Sequence, residues 1–223
     1  QVMVLGVTPE FTTAWPRVYA VDKEQVMIDR FWQPDPNKQV QLADWLSVDL
    51  PSSSMSAVVG DGSLNMVQFP LEAQQLLQRI CTWLEPGGVV AVRLFGRPYQ
   101  PITQDELINA TKTLNWHTWR TYLSMYIAGQ TGVNVTSKSR LATFNQLFPN
   151  RELLCADTGW DLEEVSRTMD SYEFSNTSTS FPIPQQWLEI LPPQAENAAL
   201  IAAGDYALSE FFPILTFSRK TNG

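Results

Sequence analysis

The sequence predicts a doubly wound α/β fold, a mostly parallel seven-stranded sheet with a helical cap inserted after the fifth strand. Three observations carry this. Through the first 98 residues, short apolar runs alternate with stretches of helical period. Strands buried on both faces read as continuous apolar runs, and their alternation with helices marks a parallel sheet. The last 25 residues then read as an antiparallel pair, Ala199 to Ala203 and Pro213 to Phe217, around the turn-prone Gly204-Asp205. Between Phe95 and Ala199 lie about a hundred residues without a convincing strand, far too long for an ordinary connection.

Val2 to Leu5 is a short apolar run stopped by Gly6, the pattern of a buried strand. Thr8-Pro9-Glu10 opens a helix with a capping hydroxyl, a proline suited to the first turn and a favourably placed acid. Val18 to Val21 is the second strand, ending in Asp22, and Val26, Met27, Phe31 and Trp32 give residues 24–32 a helical face. Val40 to Ala43 is the third strand, ending at Asp44-Trp45. After the turn at Leu50-Pro51-Ser52, Met55 to Val59 is the fourth, ending at Gly60-Asp61-Gly62-Ser63. Leu71, Leu76, Leu77, Ile80, Trp83 and Leu84 set a helix over 70–84. Pro86-Gly87-Gly88 stops it and turns the chain into the fifth strand, Val89 to Phe95. In the long segment that follows, residues 103–114, 119–128, 139–147, 162–174 and 185–191 read as helices separated by polar stretches such as 175–184. This organisation predicts a core of residues 1–98 and 199–223 with residues 99–198 as the inserted cap.

Fifteen Lys and Arg against 23 Asp and Glu give a net charge of −8, and the basic residues form no run. That argues against a nucleic-acid partner, because phosphate binding rests on clustered cations. Cys81 and Cys155 lie too far apart in sequence for a metal motif or a disulfide framework, which predicts no metal and a reduced, cytoplasmic chain. No apolar stretch approaches the roughly 18 residues of a membrane span, and the start carries no basic leader. The chain opens at Gln1 already inside an apolar run, as a chain with further residues upstream would.

Ligands of open parallel sheets bind outside the carboxyl ends of the strands, where strand order reverses. The sequence collects Gly6, Asp22, Asp44-Trp45 and Asp61-Gly62-Ser63 at those ends. Gly6 lets the backbone approach a ligand closely. Asp22 can accept two hydrogen bonds from a ribose diol or simply cap the helix after its strand. Asp44 can accept from an adenine amino group beside the apolar wall of Trp45, although Asp is also common in loops after strands. Gly60-Asp61-Gly62 also reads as an ordinary flexible turn.

Val2 to Gly6, Val18 to Ile28 with Asp22, Asp44, Val58 to Asp61, and Leu84 to Val90 fall in the order of the class I S-adenosylmethionine-dependent methyltransferases, which the sequence resembles. Gly6 and Asp22 are 16 positions apart, and Asp22 and Asp44 are 22 apart. The resemblance covers residues 1 to about 97 and more loosely 199–219. It implies a sheet order 3-2-1-4-5-7-6 with the seventh strand antiparallel, and S-adenosylmethionine as cofactor. It also implies methyl transfer to a small-molecule acceptor, with neither nucleic acid nor membrane as partner and with room for a homo-oligomer. Carried over residue by residue, Asp22 with Lys23 holds the ribose, Asp44 and Trp45 the adenine, and Gly6, Val7 and Thr8 the amino-acid end. Asp61, Gly62, Ser63 and Leu64 line the side facing the methyl group. The chain departs from the family pattern where an acid and two further glycines are usual: Val4, Thr8 and Glu10 stand there. These departures frame an alternative, a methyltransferase-like binding or regulatory protein without turnover. A nicotinamide-dependent oxidoreductase fits less well, since Gly6-Val7-Thr8-Pro9-Glu10-Phe11 keeps one glycine of that fingerprint's three.

No spacing singles out a catalytic base. The candidates are Asp61, His117 (the one histidine of the chain) and Tyr122, which shares a helical face with Tyr126 and Trp119. Those aromatic residues, with Trp116, line an acceptor pocket if they face the sheet and otherwise form a core. Asp161, Glu163 and Glu164 open a helix and suit its dipole.

Overall fold

The computed structural model describes residues 1–221. Strands β1 (Val2–Leu5), β2 (Val18–Asp22), β3 (Lys38–Leu42), β4 (Met55–Asp61) and β5 (Leu84–Arg93) alternate with helices α1 (Pro9–Ala14), α2 (Gln25–Phe31) and α3 (Leu71–Trp83). Helices α4 (Gln104–Asn109), α5 (Trp116–Thr131), α6 (Ser137–Leu147), α7 (Arg151–Thr158), α8 (Leu162–Ser171) and α9 (Gln186–Glu189) follow, with short strands β6 (Asn134–Thr136) and β7 (Ser178–Ser180) among them. Strands β8 (Ala195–Ile201) and β9 (Ile214–Arg219) close the sheet.

The seven strands run in the order β3-β2-β1-β4-β5-β9-β8. β1 to β5 pair in parallel, β9 is antiparallel to β5, and β8 is antiparallel to β9. Numbered by position in the sheet, this is the expected 3-2-1-4-5-7-6. Alternation along the strands divides the side chains between two layers. Val2, Val4, Val18 and Ala20 pack on Phe11 of α1 and on Ile28 and Phe31 of α2, while Met3, Leu5 and Val58 pack on the Leu76, Leu77 and Ile80 face of α3. Each fully buried side chain of this kind contributes about 1.5–3 kcal/mol. The helices between Arg93 and Ile214 enclose a cluster of their own around Trp116, Trp119, Leu123 and Phe144.

Several local expectations change. Pro86-Gly87-Gly88 lies inside β5: Met55 pairs with Leu84 and Ala57 with Val89, so the residues between form an irregularity in the strand. Gly87, at φ 79°, makes that detour without Cβ strain. The inserted segment does contain strands, the antiparallel pair β6 and β7. Each is three residues long and polar, with Val135 the buried apolar member, so no period-2 pattern reveals them. Helix α7 also lies outside the expected set, although its signals are present: the Asn150 side chain accepts from the Leu153 amide, and Gly159 ends it in the left-handed conformation. β8 starts at Ala195, with a register shift after Glu196 that places Asn197 at φ 55°.

Two asparagines, the buried Asn65 and the exposed Asn134, fasten the inserted segment to the sheet. Asn65 donates from Nδ2 to the carbonyls of Phe95 and Ser180, each at 2.6 Å, and accepts from the Phe95 amide at 2.7 Å. Asn134 exchanges two hydrogen bonds with the backbone of Phe69, at 2.9 and 3.0 Å.

Candidate functional site

Strand order reverses between β1 and β4, and a cleft of about 500 Å³ opens outside their carboxyl ends. Its size lies within the usual range for a small-molecule site, about 300–1,000 Å³. The floor is Gly6, whose φ of +101° suits glycine, and the place a Cβ would occupy lies 3.7 Å from Asp22 Oδ2. The other Asp22 oxygen, Oδ1, accepts from the Glu24 amide at 2.9 Å. One oxygen thus shapes the turn into α2 while its twin stands beside Gly6 in the cleft.

Thr8 precedes α1 and lines the cleft with Val7; its hydroxyl makes no capping hydrogen bond, which leaves it for a ligand. Trp45 forms a wall, its indole fixed by donation from Nε1 to the Val21 carbonyl at 2.7 Å. Met27 and Phe31 supply further apolar surface from α2, beside Lys23 and Glu24. Of these, Met27, Phe31 and Glu24 were not expected as site residues; the apolar spacing of 24–32 was visible, but it also fits plain core packing. Ser63 lines the cleft while its hydroxyl donates to the Leu5 carbonyl at 2.8 Å, tying β4 to β1 at the switch point.

Other expected residues are placed elsewhere. Asp44 is exposed and outside the cleft lining, its Oδ1 accepting from the Leu46 amide at 2.8 Å to shape a turn. Gly62 also stands outside the lining; it adopts φ +66°, and a Cβ there would run into the Phe95 ring. Asp61 does line the cleft, but both its oxygens are held by Arg93, Nε to Oδ1 at 2.6 Å and Nη2 to Oδ2 at 2.7 Å. That pairing raises the Arg93 pKa, against the opposing effect of burial, and it occupies both oxygens of the Asp61 carboxylate. Tyr206 accepts a further hydrogen bond from Arg93 Nη1.

His117 is 68% exposed on α5 and faces Glu164 at 3.1 Å, away from the cleft lining. Burial, and then the charge of Glu106, raise the phenol pKa of Tyr122, so it stays protonated at neutral pH. Trp116 and Trp119 stack 6.0 Å apart and pack with Phe144 and Trp160, so the aromatic face of α5 is the core of the inserted segment rather than a wall of this cleft. Glu10, too, lies outside the cleft lining. Among the described residues, no group of three or more His, Cys, Asp or Glu is placed to hold a metal ion.

Residues 6–92, which contain all of the cleft lining but Leu5, match the family model described as a methyltransferase domain. Over this stretch, less than half of the chain, the sequence is similar to that methyltransferase-domain family. Solved structures agree with the fold. A methyltransferase from Mesorhizobium loti aligns over 98% of this chain and 90% of its own at 13% identity, with a TM-score of 0.54. One from Methanosarcina mazei aligns over 99% and 92% at 13% identity, with a TM-score of 0.53. Human N-acetylserotonin methyltransferase, solved in complex with SAM, aligns over 99% of this chain at 12% identity with a TM-score of 0.50, and the chain spans 47% of that protein's length. At such identities the likeness is one of fold. No curated protein sequence matches the chain. No helix among the described residues is long and apolar enough to cross a membrane.

Proposed function

We propose that this chain binds S-adenosylmethionine in the Gly6–Asp22 cleft and transfers its methyl group to a small-molecule acceptor. The observation that carries the reading is the pairing of Asp22 Oδ2, free of backbone partners, with the positive-φ backbone of Gly6 at the topological switch point. When bound, S-adenosylmethionine supplies a methyl group already activated by a positive sulfur. Asp22 accepts from the ribose diol, with Lys23 beside it. Trp45, Met27 and Phe31 enclose the adenine, and Gly6, Val7 and Thr8 hold the amino-acid end. Asp61, Ser63 and Met66 border the methyl side, and the Arg93 pairing keeps the Asp61 carboxylate fixed there.

The protein's work in such a displacement is to bind, align and exclude water. A second groove adjoins the cleft through Lys23, Glu24 and Met66 and reaches Asn176, Thr177 and Ser178 of the inserted segment. Residues 99–198 thus act as a cap over the acceptor. Among the described residues lining the cleft there is no histidine, and its Asp61 is tied up, which favours an acceptor whose nucleophile needs little deprotonation, such as a neutral amine.

The test is thermal unfolding with S-adenosylmethionine, S-adenosylhomocysteine and NAD, followed by calorimetric titration. Ligand at about 100 times its dissociation constant stabilises by about 2.7 kcal/mol, a shift of roughly 5–10 °C for a chain of this size. The two adenosyl compounds are expected to act and NAD is not. Asp22→Asn keeps the acceptor for the Glu24 amide while replacing the oxygen beside Gly6, and is expected to weaken S-adenosylhomocysteine roughly tenfold or more. Unchanged affinity would overturn the assignment. The single glycine of the β1–α1 loop favours a second reading, cofactor binding without turnover, which acceptor screens with labelled cofactor separate from the first.

A further inference from the structure

A second cavity, of about 600 Å³, lies beyond the end of β5 and shares no lining residue with the Gly6–Asp22 cleft. Its walls are Arg97, Tyr99, Ile183, Pro184 and Phe211, with Glu189 and Glu210 among the remaining lining residues. Arg97 is the unusual member. Its Nε is buried and has no hydrogen-bond partner, and its Nη1 donates to the carbonyl of the adjacent Pro98 at 3.1 Å. Neither glutamate lies within ion-pair distance of it, so a guanidinium with spare donors and two exposed carboxylates line the same cavity without neutralising one another.

The backbone holds this arrangement firmly. The Gly96 amide donates to the Phe211 carbonyl at 2.8 Å and the Arg97 amide to the Pro182 carbonyl at 3.3 Å. A Cβ at Gly96 would sit 2.7 Å from Pro184 and 2.9 Å from the Phe211 carbonyl, so glycine is what lets this strap close against the wall of the cavity. Arg97 Nη2 makes no hydrogen bond within the protein and, unlike Nε, is not buried, and a carboxylate is the group that matches the planar fork of guanidinium donors.

We propose that this cavity binds a small amphipathic zwitterion of the amino-acid type. The carboxylate of the ligand accepts from Arg97, its ammonium lies toward Glu189 and Glu210, and its apolar body rests on Ile183, Pro184 and Phe211 beside the exposed ring of Tyr99. Each charge on the cavity wall gains a partner, and the apolar walls gain cover. The proposal is independent of the S-adenosylmethionine reading, since neither cleft uses a residue of the other.

Phenylalanine is the probe, with phenethylamine (no carboxylate), phenylpropionate (no ammonium) and inorganic phosphate as comparisons, titrated calorimetrically into the full chain. Phenylalanine is expected to bind, and both phenethylamine and the Arg97→Gln variant to lose affinity roughly tenfold or more. Phenylpropionate and phosphate are expected to bind more weakly than phenylalanine. No binding of phenylalanine at about 10 mM, or equal affinity for Arg97→Gln, overturns the site; equal binding of phenylpropionate or phosphate overturns the zwitterion. Should Arg97→Gln fail to fold, the exposed pair Glu189→Gln/Glu210→Gln is expected to weaken phenylalanine and leave phenylpropionate unchanged, and no difference overturns the proposal. Binding of S-adenosylhomocysteine, measured in the same samples, reports the other cleft separately.

Discussion

Asn65 ties the end of the sheet to the inserted segment, and replacing it tests how that segment is held. The side chain has no solvent exposure and serves three backbone groups, the amide and carbonyl of Phe95 and the carbonyl of Ser180, the last 115 positions away. Asn65→Ala removes all three hydrogen bonds and leaves the Phe95 amide without its acceptor. At about 1 kcal/mol for each bond, with the larger penalty for an orphaned donor, the expected loss is about 3 kcal/mol. For a chain of this length that lowers Tm by roughly 6–12 °C. Urea unfolding is the assay, with an unchanged slope showing that stability rather than compactness has moved. Asn65→Asp keeps the shape but sets an oxygen against the two carbonyls that Nδ2 now serves, and at neutral pH it is expected to be at least as destabilising. A loss below about 1 kcal/mol in both variants would refute the reasoning and assign the attachment to apolar contacts among Phe95, Phe181 and Phe212.

Two further outcomes follow from groups with defined partners. A double-mutant cycle with Arg93→Met and Asp61→Asn is expected to return a coupling of roughly 1–2 kcal/mol, since the pair is bidentate yet about a third exposed and therefore partly screened. A coupling below about 0.5 kcal/mol would show that the pair does not hold this side of the cleft. Burial pushes the Cys81 thiol up to about 11, with Arg219 pulling slightly the other way. The folded state therefore keeps this proton while the unfolded chain loses it near pH 9, so the contribution is complete below pH 9 and is lost as pH rises toward about 11. Unfolding measured over that range is expected to fall more steeply for the natural chain than for Cys81→Ala; parallel curves would contradict the burial argument.

How much was legible in the residues divides along the range of the forces involved. Strands β1, β2, β4 and β9 and helix α3 were readable within a residue or two, because their apolar periods reflect burial on one or two faces of a local element. That Gly6, Asp22, Trp45 and Asp61 would meet at one cleft was readable because parallel strands bring their carboxyl ends to one edge. Their precise use was not. The Asp61 carboxylate is taken by Arg93, 32 positions on, and that of Asp44 by the amide of Leu46, so one aspartate is paired within the cleft and the other stands outside it. The inserted segment shows the same division: its helices other than α7 were readable from their period, yet whether the α5 aromatics faced the sheet or one another depended on Phe144 of α6 and on Trp160 packing against them. The sequence by itself determined the alternation of elements and hence the parallel sheet and its switch point. Tertiary structure alone decided which polar groups at that edge remain free, because a donor or acceptor is spent or spared by partners that sequence distance conceals.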